Sequence, residues 1–427
     1  MAAPTHDAPR PRKPRKESVE IEGRVLPVSP VLDALFYWMA ERDAIRRRKA
    51  AGEAAPWTND PILAEYKFTN VFRVFDRTSQ YVLRNVINRG SQDLYETCFR
   101  VMLFRSFNRI STWELLDSEL DLTWANFNYN AYRRVLQEGD VDGAIYGHAY
   151  ILIAPNAYGG RKSYENHLGL LQHMLEDGLP EKLVNAACMK EAESIVSSYK
   201  GMGPFLSFQL LLDLNMTPHF QFSEDEWAIC GPGAAEGLQK IFGCGVKGIE
   251  LEVMKYLRDT QYKHWERLGI TDLPRLHDGR LGIALVDLEH SLCECEKYAR
   301  VKYPRISGKR KTYKRLYLAT ELPLDLVLPE KWTPRGGTSG TPISISHLPD
   351  NEPLTELEDS DPEYEISHIV REALIPEGGM EYLVRWVGWT PEWDLWLAES
   401  ELRDAPEVLK DWSERRNKRK RRPKKNW

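Results

Sequence analysis

The sequence predicts a multidomain protein: a large all-α domain with a helix-hairpin-helix-like element, then a small three-stranded antiparallel β-sheet closed by a C-terminal α-helix. Three observations predict it. Apolar residues recur at three- and four-residue spacing over about 30–330, the composition changes abruptly over 331–362, and beyond that two short runs alternate with period two. At 427 residues the chain is long enough for two or three domains, and 42% hydrophobic residues with thirteen tryptophans can fill their cores.

Residues 1–29, rich in proline and carrying Arg10, Arg12, Lys13, Arg15 and Lys16, are expected as a disordered basic tail. The helical domain, 30–330, shows its period in Val31–Met39, Tyr81–Val86, Leu94–Phe104, Leu168–Leu175, Leu206–Leu214 and Ile249–Leu257. Joints fall at Asn59-Asp60-Pro61, Ala154-Pro155-Asn156 and Gly201-Met202-Gly203. Residues 331–362 form a linker, Gly-rich at Gly336-Gly337 and acidic from Glu352 to Asp361. In 363–413 the alternating runs Tyr364–Ile369 and Glu381–Trp386 flank a Pro376–Gly379 turn signal, and Ala405–Trp412 has a helical pattern. A basic tail, 414–427, ends the sequence.

The net charge of −5 hides this asymmetry, because both ends and a block near residue 300 are basic. Such a distribution points to nucleic-acid contact more than the total does. The six cysteines contain no C-x-x-C pair, so neither a zinc site nor a disulfide framework is expected; no metal is expected either. The N-terminus has no apolar h-region and no stretch approaches about 18 apolar residues, so no membrane partner is expected.

Several motifs carry candidate chemistry. Asn70, Arg73 and Arg77, with Asp76 and Gln80 between and after them, are spaced at three and four and could share one helical face. That face suits a phosphate or a base edge; a solvated face with an Asp76–Arg73 ion pair fits the spacing as well. Tyr199-Lys200-Gly201-Met202-Gly203-Pro204-Phe205 reads as a helix-hairpin-helix turn, with Gly201 and Gly203 permitting a tight bend at a phosphate. Gly231-Pro232-Gly233-Ala234 is a second loop able to approach phosphate. From Lys297 to Arg315 there is no acidic residue. Lys297, Arg300, Lys309, Arg310 and Lys311 interleave there with tyrosines, as in a strand-tracking groove.

Residues 363–413 resemble the chromodomain family, through Tyr364-x-Ile366, Tyr382-Leu383-Val384-Arg385-Trp386-Val387-Gly388-Trp389, Trp396 and the closing helix. The resemblance implies that Tyr364, Trp386 and Trp389 form a cage for methylated lysine, that a methylated histone tail is the partner, and that the protein is nuclear. Aromatic faces suit a cation that donates no hydrogen bond.

Residues from about 55 to 320 resemble the helical domain associated with 5-hydroxymethyluracil DNA kinases, within the α-glutamyl/putrescinyl-thymine pyrophosphorylase clade. The carrying segments are Phe68–Tyr81, Gly203-Pro204-Phe205-x-x-x-Gln209, Gly231–Ala234 and Glu289–Tyr298. The resemblance implies DNA as a partner, around a modified or flipped pyrimidine. By analogy with helix-hairpin-helix base-excision enzymes, Asp225 is a catalytic candidate beside Asp76, while Phe205 stands where bifunctional members carry a lysine. No G-x-x-x-x-G-K-[ST] occurs, so a P-loop kinase is not expected. These motifs specify no cofactor. They leave open a base-modifying enzyme, a non-catalytic chromatin reader and a transposon-derived scaffold.

Overall fold

The computed structural model describes residues 17–140, 145–147, 157–278, 280–306, 308, 317, 326–333, 366–375, 379–386, 395–402 and 406–420. In chain order a hairpin of β1 (Ser18–Ile21) and β2 (Arg24–Pro27) precedes α1 (Val31–Ala50) and α2 (Pro61–Glu65). There follow α3 (Arg77–Tyr81), α4 (Leu94–Phe107), α5 (Ile110–Glu119) and α6 (Tyr129–Gly139). Next come α7 (Ser163–Glu176), α8 (Leu179–Val184), α9 (Met189–Ser197) and α10 (Pro204–Leu214). Then α11 (Pro232–Phe242), α12 (Glu250–Arg267), a hairpin of β3 (Arg275–His277) and β4 (Arg280–Leu281), and α13 (Leu285–Lys302). Last are β5 (Ile366–Ile375), β6 (Gly379–Trp386), β7 (Leu395–Ala398) and α14 (Pro406–Lys420). Among the described residues no helix is long and apolar enough to cross a membrane.

The chain divides into two compact units, Met1–Val71 with Cys230–Tyr317, and Phe72–Ile229 with Leu318–Trp427. The first is built around α13, which packs against α11, α1 and α12 and buries Leu285, Leu288, Leu292, Tyr298 and Ala299. Glycine lets α11 come close: a Cβ on Gly237 would lie 2.6 Å from the Leu292 carbonyl oxygen. On α1, Phe36 and Trp38 are fully buried, and the Trp265 indole N–H donates to the Phe36 carbonyl at 3.0 Å.

Within the 1–29 stretch expected as a disordered tail, Ser18–Pro27 forms a hairpin, and residues 1–16 lie outside the described residues. Glu22 and Gly23 both have positive φ, 48° and 70°, the conformation a tight two-residue turn requires. Ile21 and Leu26 are buried, so the alternation of a few apolar residues outweighs the polar composition around them.

In the second unit α4 is the buried axis, packed by α7, α10 and α8. Asp93 caps its first turn by accepting from Tyr95 N–H at 2.9 Å, and Asn108 ends it in the left-handed region. Before the Gly201 turn, α8 ends at Val184 and α9 starts at Met189. Gly201, φ 106°, makes the turn into α10, whose first residue is Pro204. Two packed helices joined by a tight turn are therefore present there.

The small sheet has the order β5-β6-β7, antiparallel throughout, with Glu372 opposite Tyr382 and Tyr382 opposite Leu397. Ile369, Tyr382, Val384 and Leu402 form its core, with Val408, Leu409 and Trp412 of α14 packed on them. The closing helix runs on to Lys420, through part of what the composition marks as a tail.

Candidate functional site

The polar residues of Phe68–Tyr81 do not share a helical face. Residues 73–75 make one 3-10 turn, Asp76 is extended (ψ 148°), and only Arg77–Tyr81 is α-helical. The reason is apolar: Phe68, Val71, Phe72, Val74 and Phe75 are all buried, a density that one amphipathic stripe cannot accommodate. Asp76 serves the bend through its backbone, donating to the Arg73 carbonyl at 2.9 Å and accepting from Gln80 N–H at 2.8 Å. Arg77 is half-buried on α3.

In the first unit, three motif segments distant in sequence meet. Thr69 donates its N–H to Glu294 Oε2 at 3.1 Å, and its Oγ1 lies 2.8 Å from His290 Nε2. Lys297 Nζ is 2.7 Å from Glu294 Oε1. Burial pushes the Glu294 carboxyl up, but Lys297, His290 and the Thr69 N–H outweigh it and hold it below the usual value. Gly231 N–H donates to Glu289 Oε1 at 2.9 Å. Further along α13, Glu296 takes Lys240 Nζ at 2.6 Å and Arg300 Nε at 2.9 Å, all three side chains almost fully buried. Asn70 follows Thr69 and is half-buried.

This geometry corrects several expectations. Lys297 and Arg300, expected along a phosphate track, are 5% exposed and consumed by carboxylates three and four residues before them. Gly231 spends its N–H inside the protein. Gly233 leaves room for Cys293, whose Sγ would be 2.4 Å from an added Cβ. Gly233 therefore serves close helix packing, and Gly231 a hydrogen bond to α13.

In the second unit Arg73 donates to Gln209 and reaches Asp213 at 3.4 Å, while Arg105 Nε donates to the other Asp213 oxygen at 2.7 Å. One carboxylate, 2% exposed, thus takes two guanidinium groups. Gln80 is fully buried, and its amide bonds the Val74 carbonyl at 2.6 Å and both backbone groups of Val327 at 2.9 Å. It is a strut, not a DNA contact. Gly201 and Gly203 form the α9–α10 turn, and nothing lies within 4 Å of a Cβ added at Gly203. Asp225 is exposed in the segment after α10, its N–H donating to Ser223 Oγ at 3.3 Å.

Other polar groups here escape a reading of the sequence: Thr69, Arg105, Asp213, Lys240, Glu296 and Lys331. The i,i+4 spacing of Glu296 and Arg300 is a usable signal; nothing local announces Lys331. Its ammonium donates to the Phe220 carbonyl and lies 3.4 Å from Asn215 Oδ1, and burial pulls it down to about 8. Lys309, Arg310, Lys311, Tyr364 and Trp389 lie outside the described residues. Trp386 ends β6 opposite Ile366.

Residues 29–308 match the family described as 5-hmdU DNA kinase, helical domain. Among curated proteins, the 5-hmdU DNA kinase of Bacillus phage SP10 is 24% identical over 285 residues, which cover 62% of this chain and 44% of that protein. The match thus spans less than half the length of that relative. No solved structure matches. The three segments that meet around Thr69 and α13 all lie within the matched region, and the chain belongs to the 5-hmdU DNA kinase helical-domain family.

Proposed function

We propose that the helical region binds DNA and recognises a modified, thymine-derived pyrimidine, with base modification as the activity it could support. The observation that carries this is the convergence of Thr69, Gly231 and the Glu289–Lys297 face of α13 on one internally satisfied knot. Such a network stabilises less than an apolar core of equal volume would, so its use lies in fixing one conformation of the Thr69–Asn70 segment. An asparagine held in this way can pair with a base edge through its amide. If chemistry follows, Asp225, exposed beyond α10, and Asp76, at the bend before α3, are the acid–base candidates.

The test is a duplex containing thymine or 5-hydroxymethyluracil, incubated with the full chain with and without nucleotides and amines, its nucleosides then analysed by mass spectrometry. Tighter binding of the modified duplex, lost in Asn70→Ala, is expected; equal affinity for both duplexes overturns the reading. A new nucleoside that disappears in Asp225→Ala makes the protein an enzyme, and unaltered DNA with tight binding makes it a reader.

A second reading concerns the small module. Three antiparallel strands closed by a helix favour a methyl-lysine reader, with Tyr364, Trp386 and Trp389 as the cage, a methylated histone tail as partner and the nucleus as its place. Binding of a trimethyl-lysine peptide that Trp386→Ala abolishes would support it, and indifference to methylation would end it.

A further inference from the structure

We infer that the second half of α14 is a nucleic-acid-binding helix, a backbone-contacting site for double-stranded DNA separate from the base-reading region proposed above. The first half of α14 is docked: Val408, Leu409 and Trp412 pack on the core of the small sheet. Its last anchors are polar. The Trp412 indole N–H donates to Glu372 Oε2 on β5 at 2.7 Å, and Arg416 donates to the same oxygen at 3.1 Å. Beyond Trp412 the helix runs eight more residues, about 12 Å. Five of the last six, Arg415, Arg416, Lys418, Arg419 and Lys420, are basic.

Glu372 claims the stripe of Trp412 and Arg416. Arg415, Lys418 and Arg419, at i, i+3 and i+4, follow one another along the part of the helix beyond Trp412. Arg415 has an acidic neighbour, Asp411 at 2.7 Å, but both side chains are more than half exposed, so the pair opens at little cost. Like charges at this density repel one another, and contact with a polyanion relieves that repulsion. Charge complementarity thus selects phosphates, and the docked half anchors the basic half of the helix to the sheet.

The experiment uses the full chain and an unmodified random-sequence duplex, with affinity read by fluorescence anisotropy across a salt series. Replacing Arg415, Lys418 and Arg419 together with alanine should lower the slope of log affinity against log salt by about 2 to 3, roughly 0.9 for each phosphate no longer neutralised. An unchanged slope overturns the proposal. Asn417→Pro keeps every charge and lies beyond the docked residues, but breaks the helix. It should weaken binding about tenfold; full affinity would make the segment a flexible charged tail and also overturn the proposal. Neither variant should alter any preference for 5-hydroxymethyluracil over thymine. Loss of that preference in Asn70→Ala, with the salt slope intact, would concern base reading alone.

Discussion

Helices α13 and α14 both carry lysine and arginine near their C-terminal ends, and these basic residues have opposite fates. In α13, Lys297 and Arg300 are 5% exposed and paired with Glu294 and Glu296. In α14, Arg415 and Arg416 keep about half of their side-chain surface in water. What separates them is the company of the stripe. The α13 cations lie on a helix that is buried on nearly every side, with Leu292, Tyr298 and Ala299 among its buried residues, so the helix enters a core and takes its charges with it. The α14 cations come after the last docked apolar residue, Trp412. Basic density marks a surface only where apolar periodicity has already ended.

The comparison breaks most severely at Glu296. Removing its carboxylate in Glu296→Ala leaves Lys240 and Arg300 buried without their common partner, and should cost about 3–5 kcal/mol in urea unfolding. The same variant should leave the salt dependence of DNA affinity unchanged. A loss below about 1 kcal/mol would mean that α13 carries its charges at the surface after all. Gly237→Ala tests the packing that buries them, because its Cβ meets a backbone oxygen that cannot swing aside. An overpacking loss of about 1–3 kcal/mol is expected by the same measurement.

Acid should sharpen the contrast further. Glu294 is held below its usual 4.5, so the stability it contributes is present above that value and is lost as pH falls beneath it. Glu294→Gln should therefore flatten the stability profile below about pH 4.5, at the expense of stability at neutral pH. An unchanged acid limb would show the pair to be solvated. The smallest effect belongs to α14: Asp411→Ala breaks only an exposed i,i+4 pair and should change stability by no more than about 0.5 kcal/mol.

Much of the architecture is legible in the sequence because helical period and strand period are local signals. The three-stranded sheet and its closing helix lie where alternation and the Ala405–Trp412 pattern place them. The polar block from Asn70 to Gln80 reads as one face and is not, since spacing of three and four implies a face only if the helix is continuous, and Asp76 interrupts it. Gln80 has the look of a ligand-contacting residue and is a buried strut, because its partners Val74 and Val327 are invisible to any local window. The same limit hides Asp213, whose two arginines come from 140 and 108 residues away.

The first unit is assembled from both sides of a long excursion, and this dictates an order of events during synthesis. While residues 72–229 emerge, α1 has no α11, α12 or α13 to bury Phe36 and Trp38 against; Ser29 must wait for Ile241 and Phe36 for Trp265. The nascent chain therefore carries an exposed apolar helix through a long stretch of its translation, a natural client for a chaperone. Contacts of such sequence separation also form slowly. A chain terminated anywhere before α11 would leave that helix permanently without its cover, and so prone to aggregate rather than to yield a smaller folded domain.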